Sequence, residues 1–427
     1  MKRQQDLSSY PCFAYRGRQF HCEAVSVAEV ADQLGTPCYL YSRTALEAQF
    51  RDFDHAFSDL PHLTCYAVKA NSNLAILSLF RRLGSGFDVV SGGEMRRAMR
   101  AGAKPGTMVF SGVGKTEDEI DLALHLGILQ FNVESAAELK IIEARAAASG
   151  KTAPISLRVN PEVDPRTHPY IATALRESKF GVQIHEALAL YRRVARSPRL
   201  RISGIAFHIG SQITSLEPFS EAVRRLRDML ADLRAAGLGV QYLDLGGGLG
   251  ITYSDEKPPR PADYAGMVKA LLGDLGCTLI LEPGRVIVGN AGILVTRVLL
   301  AKKSRSRKFI VVDAAMNDLL RPSLYGAYHR ILPLVRTPRP SVKADVVGPI
   351  CESGDFIARD RTLPAARAGE RLVVMSAGAY GFVLSSNYNS RPRAAEVLVC
   401  GDEYRVIRRR ERFEDMVRGE TARPLFS

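Results

Sequence analysis

Tryptophan is missing altogether, histidine is sparse at 8 residues in 427, and the 7 cysteines are scattered without one C-x-x-C pair. The odd, dispersed set Cys12, Cys22, Cys38, Cys65, Cys277, Cys351 and Cys400 disfavours a disulfide framework and reads mostly as reduced core residues. A metal site is poorly served too, because no second histidine or carboxylate stands at ligand spacing from His208, so no metal is expected. No uninterrupted apolar run approaches the roughly 20 residues that span a bilayer. The opening "MKRQQDLSSYPCFAYRGRQF" also lacks the apolar centre of a secretory signal. A cytoplasmic protein with no membrane partner is the expectation. Low-complexity linkers and internal repeats are absent as well.

Acidic residues are outnumbered, 45 to 58, for a formal net charge of +13. Much of the excess lies in "AKKSRSRKF" (301–309) and "RVIRRRERF" (405–413). Neither stretch interleaves aromatics or belongs to a helix-turn-helix, zinc-finger or RNA-binding pattern. A solvated face is expected there and no nucleic-acid partner.

What is present is a globular composition, 46% hydrophobic and 24% charged, with enough chain for a large core. Strand-like runs alternate with helix-like stretches: "TCYAV", "FDVVS", "MVFS", "QFNV", "ISLRV", "GIAFHI", "YLDL" and "LILE". Between them, segments such as "LAILSLFRRL" and "FSEAVRRLRDMLADLRAAG" repeat apolar residues every three to four positions. Eight such units from about Thr64 to Glu282 predict an α/β fold, a (β/α)8 TIM barrel. Beyond it, "KFIVVD", "ADVVG", "RLVVMSA" and "AAEVLVCGDEYRVIRR" read as a C-terminal mostly-β domain. The N-terminal "CFAYRGRQFHCEAVSV" reads as a hairpin around Arg16 to Arg18 that joins it.

In such a barrel, chemistry belongs at the carboxyl ends of the strands. Lys69 follows the first run; Asp88 lies in the second, Ser111 ends the third, Arg158 and Asn160 close the fifth, and His208 closes the sixth. A lysine directly after an apolar strand is snorkelling, paired or chemically used. Gly246, Gly247 and Gly248 in "LDLGGGLG" can present backbone N–H groups to a phosphate, although a tight turn also explains a glycine run. "EPGR" contributes Glu282 and Arg285, which suit a ligand or an internal salt bridge. A phosphate cradle, a lysine, a carboxylate and a flat imidazole together meet the needs of pyridoxal 5'-phosphate. The lysine reacts as the neutral amine in a Schiff base, and the carboxylate keeps the pyridine nitrogen protonated, which favours carbanion chemistry.

The ordered motifs "YAVKAN", "FDVVSGGE", "RVNPEVDPRTHPYIATALRESKFG", "FHIGSQI", "LDLGGGLG", "EPGR", "LLRPSLYGAYH", "GPICESGD" and "AGAYG", from about Cys38 to Asn389, resemble the alanine-racemase-like (fold type III) pyridoxal-phosphate decarboxylases. The resemblance implies residues 37–290 as the cofactor-binding barrel, with 1–36 and 291–427 as a β-rich domain contributing to the active site and dimer interface. It implies Lys69 as the Schiff-base lysine, His208 as the ring-stacking residue and Glu282 as the partner of the pyridine nitrogen. Asp88, Ser211, Gly246, Gly247, Gly248, Gly284, Arg285 and Tyr380 would complete the cofactor site. Arg285, Arg321, Tyr325, Glu352 and Tyr380 would bind substrate, and Cys351, with Glu352 donated across a homodimer interface, would reprotonate the carbanion.

A substrate with a second amino-acid head needs a cation for its distal carboxylate, and Arg321 is placed for that by its motif. The resemblance therefore implies decarboxylation of meso-2,6-diaminopimelate to L-lysine, the final step of bacterial lysine synthesis. Decarboxylases of the ornithine and arginine type are the alternative. In "ATALRES" (172–178) the chain departs from relatives that carry glycine after the threonine, which leaves a related diamino acid open. A racemase would have arginine in place of Glu282. A non-catalytic cofactor-binding barrel would lack the large β domain.

Overall fold

The computed structural model describes residues 7–165, 167, 168, 173, 179–305 and 307–422. They form two compact units, one running Leu46–Gly289 and the other taking the chain up to Ala45 and from Asn290 onward.

In the first unit each expected strand run is found. The strands His62–Ala67, Gly86–Val89, Met108–Phe110, Gln130–Val133, Ala153–Asn160, Leu200–Ala206, Tyr242–Asp244 and Thr278–Leu281 pair in parallel, each with the next. The eighth closes on the first through Leu279 opposite His62, which makes a complete barrel. The helices between them start where the sequence offers caps. Asn73 accepts from Ala75 N at the head of Leu74–Arg82, and Ser91 and Ser135 cap Gly92–Arg100 and Ala136–Ala148. A capping box of Thr116 and Glu119 opens Glu117–Leu126, and left-handed Gly127 closes it.

The barrel interior is apolar at one end and polar higher up. Cys65, Val109 and Ile280 form a small buried cluster with Leu63, Leu129 and Tyr242 packed against it. Above them a chain of side-chain hydrogen bonds crosses the interior. Ser203 donates to Gln130 (3.2 Å), Gln130 to Asn132 (3.0 Å) and Asn132 to Asp244 (2.8 Å). Buried polar groups are tolerated only when paired in this way, and the chain leads to the strand ends where the candidate site lies.

The second unit is mostly β, as expected, and includes the N-terminal hairpin Phe13–Arg16 and Gln19–Cys22. Its large sheet runs in the order Phe356–Pro364, Ser341–Val347, Arg307–Val312, Gly292–Ser304, Cys38–Ser42, Ala395–Cys400, Glu403–Arg408. Tyr10, Phe13, Phe20 and Cys22 are buried in one cluster with Ile293, Val295, Val373 and Val397, which ties the N-terminal segment to this unit. Burial of each such side chain is worth about 1.5–3 kcal/mol. The boundary falls after Ala45 rather than before Pro37, because Cys38–Ser42 pairs antiparallel with Gly292–Val295 and parallel with Ala395–Val399.

Candidate active site

Lys69 owes its position to a break in the first barrel strand. After Ala67 the chain makes a single tight turn, Val68–Ala70, which buries Val68 and Ala70 and turns Lys69 between them. The turn is held by Tyr66, whose hydroxyl donates to Asn71 O (3.0 Å), and by Ala67 N, which donates to Pro283 O (3.0 Å). A Cβ at Gly284 would sit 2.9 Å from that of Ala70, so only glycine lets "EPGR" pack against the lysine turn. Lys69 Nζ donates to Asp88 Oδ2 at 2.5 Å, with the lysine side chain 32% exposed and Asp88 fully buried. The lysine is therefore paired, and at the edge of a cavity.

That cavity, of about 170 Å³, is lined by Lys69, Ser111, Asn132, Arg158, His208 and Glu282, among others. His208 Nδ1 accepts from Gly247 N (3.2 Å), which leaves the proton of a neutral ring on Nε2. Burial, and then the Arg158 and Lys69 cations, hold this imidazole well below its usual pKa range, so the ring is neutral. Arg158 is fixed in turn by Glu134 (2.9 Å), and it donates to His208 O (3.4 Å).

Glu282 is buried, and its Oε1 receives Asn132 Nδ2 (3.3 Å) and Ser111 Oγ (3.4 Å). Burial raises its pKa well above the carboxylate range, and the neighbouring Asp244 and Asp88 carboxylates raise it further. Asp244, chiefly by burial, is pushed up to about 6. Carboxyl groups packed this closely cannot all ionise together unless a cation joins them.

The glycine run lies beside this cluster. Gly246 N donates to Asp244 Oδ1 (3.0 Å), and Gly246 and Gly248 are left-handed at φ +61° and +114°. An added Cβ would lie 2.6 Å from Phe207 O at Gly246, 2.2 Å from Glu282 O at Gly247 and 2.5 Å from Gly210 O at Gly248. The glycines are thus required by close approach of the loops after the sixth, seventh and eighth strands, whatever they bind. Buried Arg285 reaches into the same region and donates to Ser211 Oγ (2.9 Å) and Tyr253 Oη (2.5 Å).

These donors fit pyridoxal phosphate. A lysine amine at the cavity edge, a neutral flat imidazole, an arginine beside a glycine loop, and buried carboxyls in want of a cation match its aldehyde, ring, phosphate and ring nitrogen. Asn132, Asp244 and Glu134 were not among the expected site residues. The signal available was a polar residue one place before the end of a strand-like run, Asn132 in "QFNV" and Asp244 in "YLDL", with Glu134 directly after the first.

The remaining expected residues belong to the β unit. Arg321 is buried at the start of the short helix Arg321–Tyr325, and Tyr325 is half-buried near its end. Ser323 Oγ donates to Gly354 O (2.6 Å), which ties this helix to the "CESGD" loop. Cys351 and Glu352 are exposed there, with Cys351 N donating to Asn389 Oδ1 (3.1 Å). Tyr380 is half-buried, with a strained φ of +54°. Of the departing "ATALRES" stretch only Thr173, whose hydroxyl donates to His208 O (2.8 Å), is described; the rest lies outside the described residues. Among the described residues no cluster of His, Cys, Asp and Glu is arranged to hold a metal ion, and no helix is long and apolar enough to cross a membrane.

Residues 43–289 match the family described as pyridoxal-dependent decarboxylase, pyridoxal binding domain. The diaminopimelate decarboxylase of Pseudomonas aeruginosa is 50% identical over 415 residues, which cover 96% of this chain and 99% of that one. Among solved structures, the diaminopimelate decarboxylase of Helicobacter pylori complexed with L-lysine superimposes with a TM-score of 0.89 at 46% identity, over 92% of this chain and 98% of that one. The diaminopimelate decarboxylase of M. jannaschii in co-complex with L-lysine gives a TM-score of 0.93 at 34% identity, over 97% and 99% of the two chains.

Proposed function

This chain belongs to the diaminopimelate decarboxylase family of pyridoxal-dependent decarboxylases, and we propose that it removes one carboxylate of meso-2,6-diaminopimelate as carbon dioxide, leaving L-lysine. The observation that carries the reading is the convergence of Lys69, neutral His208 and buried Glu282 on one cavity, with Asp88 on the lysine. Bound pyridoxal phosphate supplies the electron sink for the pair left on carbon when the carboxylate departs. Because the product is L-lysine, the D centre is the one that loses its carboxylate. The C–C bond breaks, carbon keeps the pair, and one proton replaces the carboxylate.

We assign Lys69 to hold the cofactor and Asp88 to orient the lysine. His208 presents its uncharged face to the cofactor ring, and Glu282 partners the ring nitrogen. Ser211, Gly246, Gly247, Gly248, Gly284, Arg285 and Tyr380 serve the phosphate. Arg321 is assigned to the substrate's distal carboxylate, Glu352 to its distal ammonium, and Arg285, Tyr325 and Tyr380 to binding the substrate as well. Cys351 is the acid that returns the proton. The exposure of Cys351 and Glu352 suits residues donated to a second copy, so the assembly we propose is a cytoplasmic homodimer working at the final step of lysine synthesis.

Purified protein with pyridoxal phosphate, meso-diaminopimelate, ornithine and arginine in one vessel tests the reading, with products identified by mass. Lysine alone is expected. Putrescine or agmatine would overturn the assignment of Arg321, and no product would indicate a cofactor-binding protein without turnover.

A further inference from the structure

Arg321 has to receive a carboxylate, so it must be held in place without being neutralised. A carboxylate partner inside the protein would orient the guanidinium but would also occupy its fork and cancel its charge. A neutral imidazole can orient the guanidinium without adding a charge of its own. Arg321 Nη1 lies 2.9 Å from His329 Nε2, and His329 Nδ1 lies 2.8 Å from Met375 O, with His329 fully buried and Arg321 5% exposed. A guanidinium only donates, so Nε2 is the acceptor, and Nδ1–H then donates to the carbonyl. A single neutral tautomer satisfies both contacts.

The imidazole is itself clamped. Met375 N donates to Arg330 O (2.8 Å), and the strands on either side of this link, Ile331–Pro333 and Arg371–Val374, pair antiparallel. The backbone directly after His329 and the Met375 carbonyl that its ring meets are therefore held together, which fixes the ring's direction. Arginine loses much rotamer freedom when it binds, and fixing one end beforehand reduces that cost.

We propose that His329 is the positioning residue that sets Arg321 for the substrate's distal carboxylate, orienting the guanidinium through an uncharged acceptor. The inference rests on the reading of Arg321 given above. It adds a specificity determinant at the last position of "LLRPSLYGAYH", a buried histidine that acts through Arg321.

The test uses the full-length enzyme with cofactor and the variants H329F, H329Q, H329E and R321Q, each checked by its melting temperature. Steady-state KM and kcat for meso-diaminopimelate are read beside inhibition constants for L-lysine, which keeps the distal carboxylate, and pentane-1,5-diamine, which has none. Phenylalanine keeps the ring but accepts nothing, so H329F should raise KM and the L-lysine constant roughly 10- to 50-fold, with kcat within about 3-fold and the diamine constant unchanged. Glutamine can both accept and donate, and H329Q should recover most of the loss. In H329E the carboxylate pairs with Arg321 and should weaken L-lysine binding at least about 10-fold even in a stably folded protein, a result that a merely structural role would not produce.

A KM for H329F within about 2-fold of wild type, with R321Q strongly raised, would overturn the role of His329 alone. So would equal weakening of L-lysine and the diamine, or wild-type L-lysine binding by H329E. An unchanged KM in R321Q would overturn the reading of Arg321 and the inference with it.

Discussion

Replacing Lys115 with methionine should cost this protein a large share of its stability. The Lys115 ammonium is almost wholly buried behind the site, its side chain 1% exposed, and it donates to Gly112 O (2.7 Å), Asn132 O (2.8 Å) and Glu138 Oε1 (2.6 Å). Glu138 is 9% exposed on its side chain and has its pKa raised by burial, with the Lys115 cation as the chief opposing influence. K115M removes that cation and its hydrogen bonds to two backbone carbonyls. Breaking one side of a buried pair costs about 3–5 kcal/mol, which for a chain of this size lowers the melting temperature by about 3–6 °C. The assay is thermal and urea unfolding at pH 7.5 of wild type, K115M, E138Q and K115M/E138Q. In the double variant the new side-chain amide can still accept from Glu134 N, the contact that Glu138 makes at 2.6 Å, and neither member of the pair is left charged. It should therefore be more stable than K115M by about 1–3 kcal/mol. A cost for K115M below about 1 kcal/mol, or a double variant that loses the sum of both singles, would refute the reasoning.

Further outcomes follow from single residues. Burial, with the Asp88 carboxylate nearby, pushes Glu94 up to about 7 from an ordinary 4.5. Its protonated form is favoured by folding, so its contribution is largest below about pH 4.5, falls as pH rises to about 7 and is flat above; because Glu94 is half-buried the span is about 1–2 kcal/mol. E94Q should flatten that part of the stability profile, and an unchanged profile would contradict it. G247A, whose Cβ would meet Glu282 O at 2.2 Å, should lower both melting temperature and cofactor retention, read by cofactor absorbance after dialysis. C351A alters an exposed thiol and should leave melting unchanged within about 0.5 kcal/mol while slowing product formation; unchanged turnover would remove Cys351 as the acid.

The barrel was legible because its strands are short apolar runs separated by capped helices, and the site because its lysine, histidine and glutamate follow those runs directly. Asn132 and Asp244 escaped because a single polar residue near a strand end is too weak a local signal to single out. Only barrel closure brings Asn132 Nδ2 to Asp244 Oδ2 across 112 positions of sequence. Likewise Cys38–Ser42 reads as any buried strand, and its partners at Gly292–Val295 and Ala395–Val399 are a matter of long-range pairing. The glycine run was anticipated as a phosphate cradle, yet its first requirement is steric, set by the carbonyls of Phe207, Gly210 and Glu282. The basic stretch near the C terminus, expected as a solvated face, is partly engaged: Arg408 binds buried Glu396 and Arg410 the Pro37 carbonyl, while Arg409 pairs with Asp415. Its charge serves packing within the β unit.

If Lys69 and its cavity decarboxylate the D centre of meso-diaminopimelate, carbon dioxide and L-lysine form together, one for one. The most direct measurement supplies carboxyl-labelled meso-diaminopimelate to wild type and K69A, each with pyridoxal phosphate, and counts labelled carbon dioxide against lysine resolved by chiral chromatography. One carbon dioxide per L-lysine is expected from wild type, with neither product from K69A. D-lysine, carbon dioxide without lysine, or full turnover by K69A would contradict that reading.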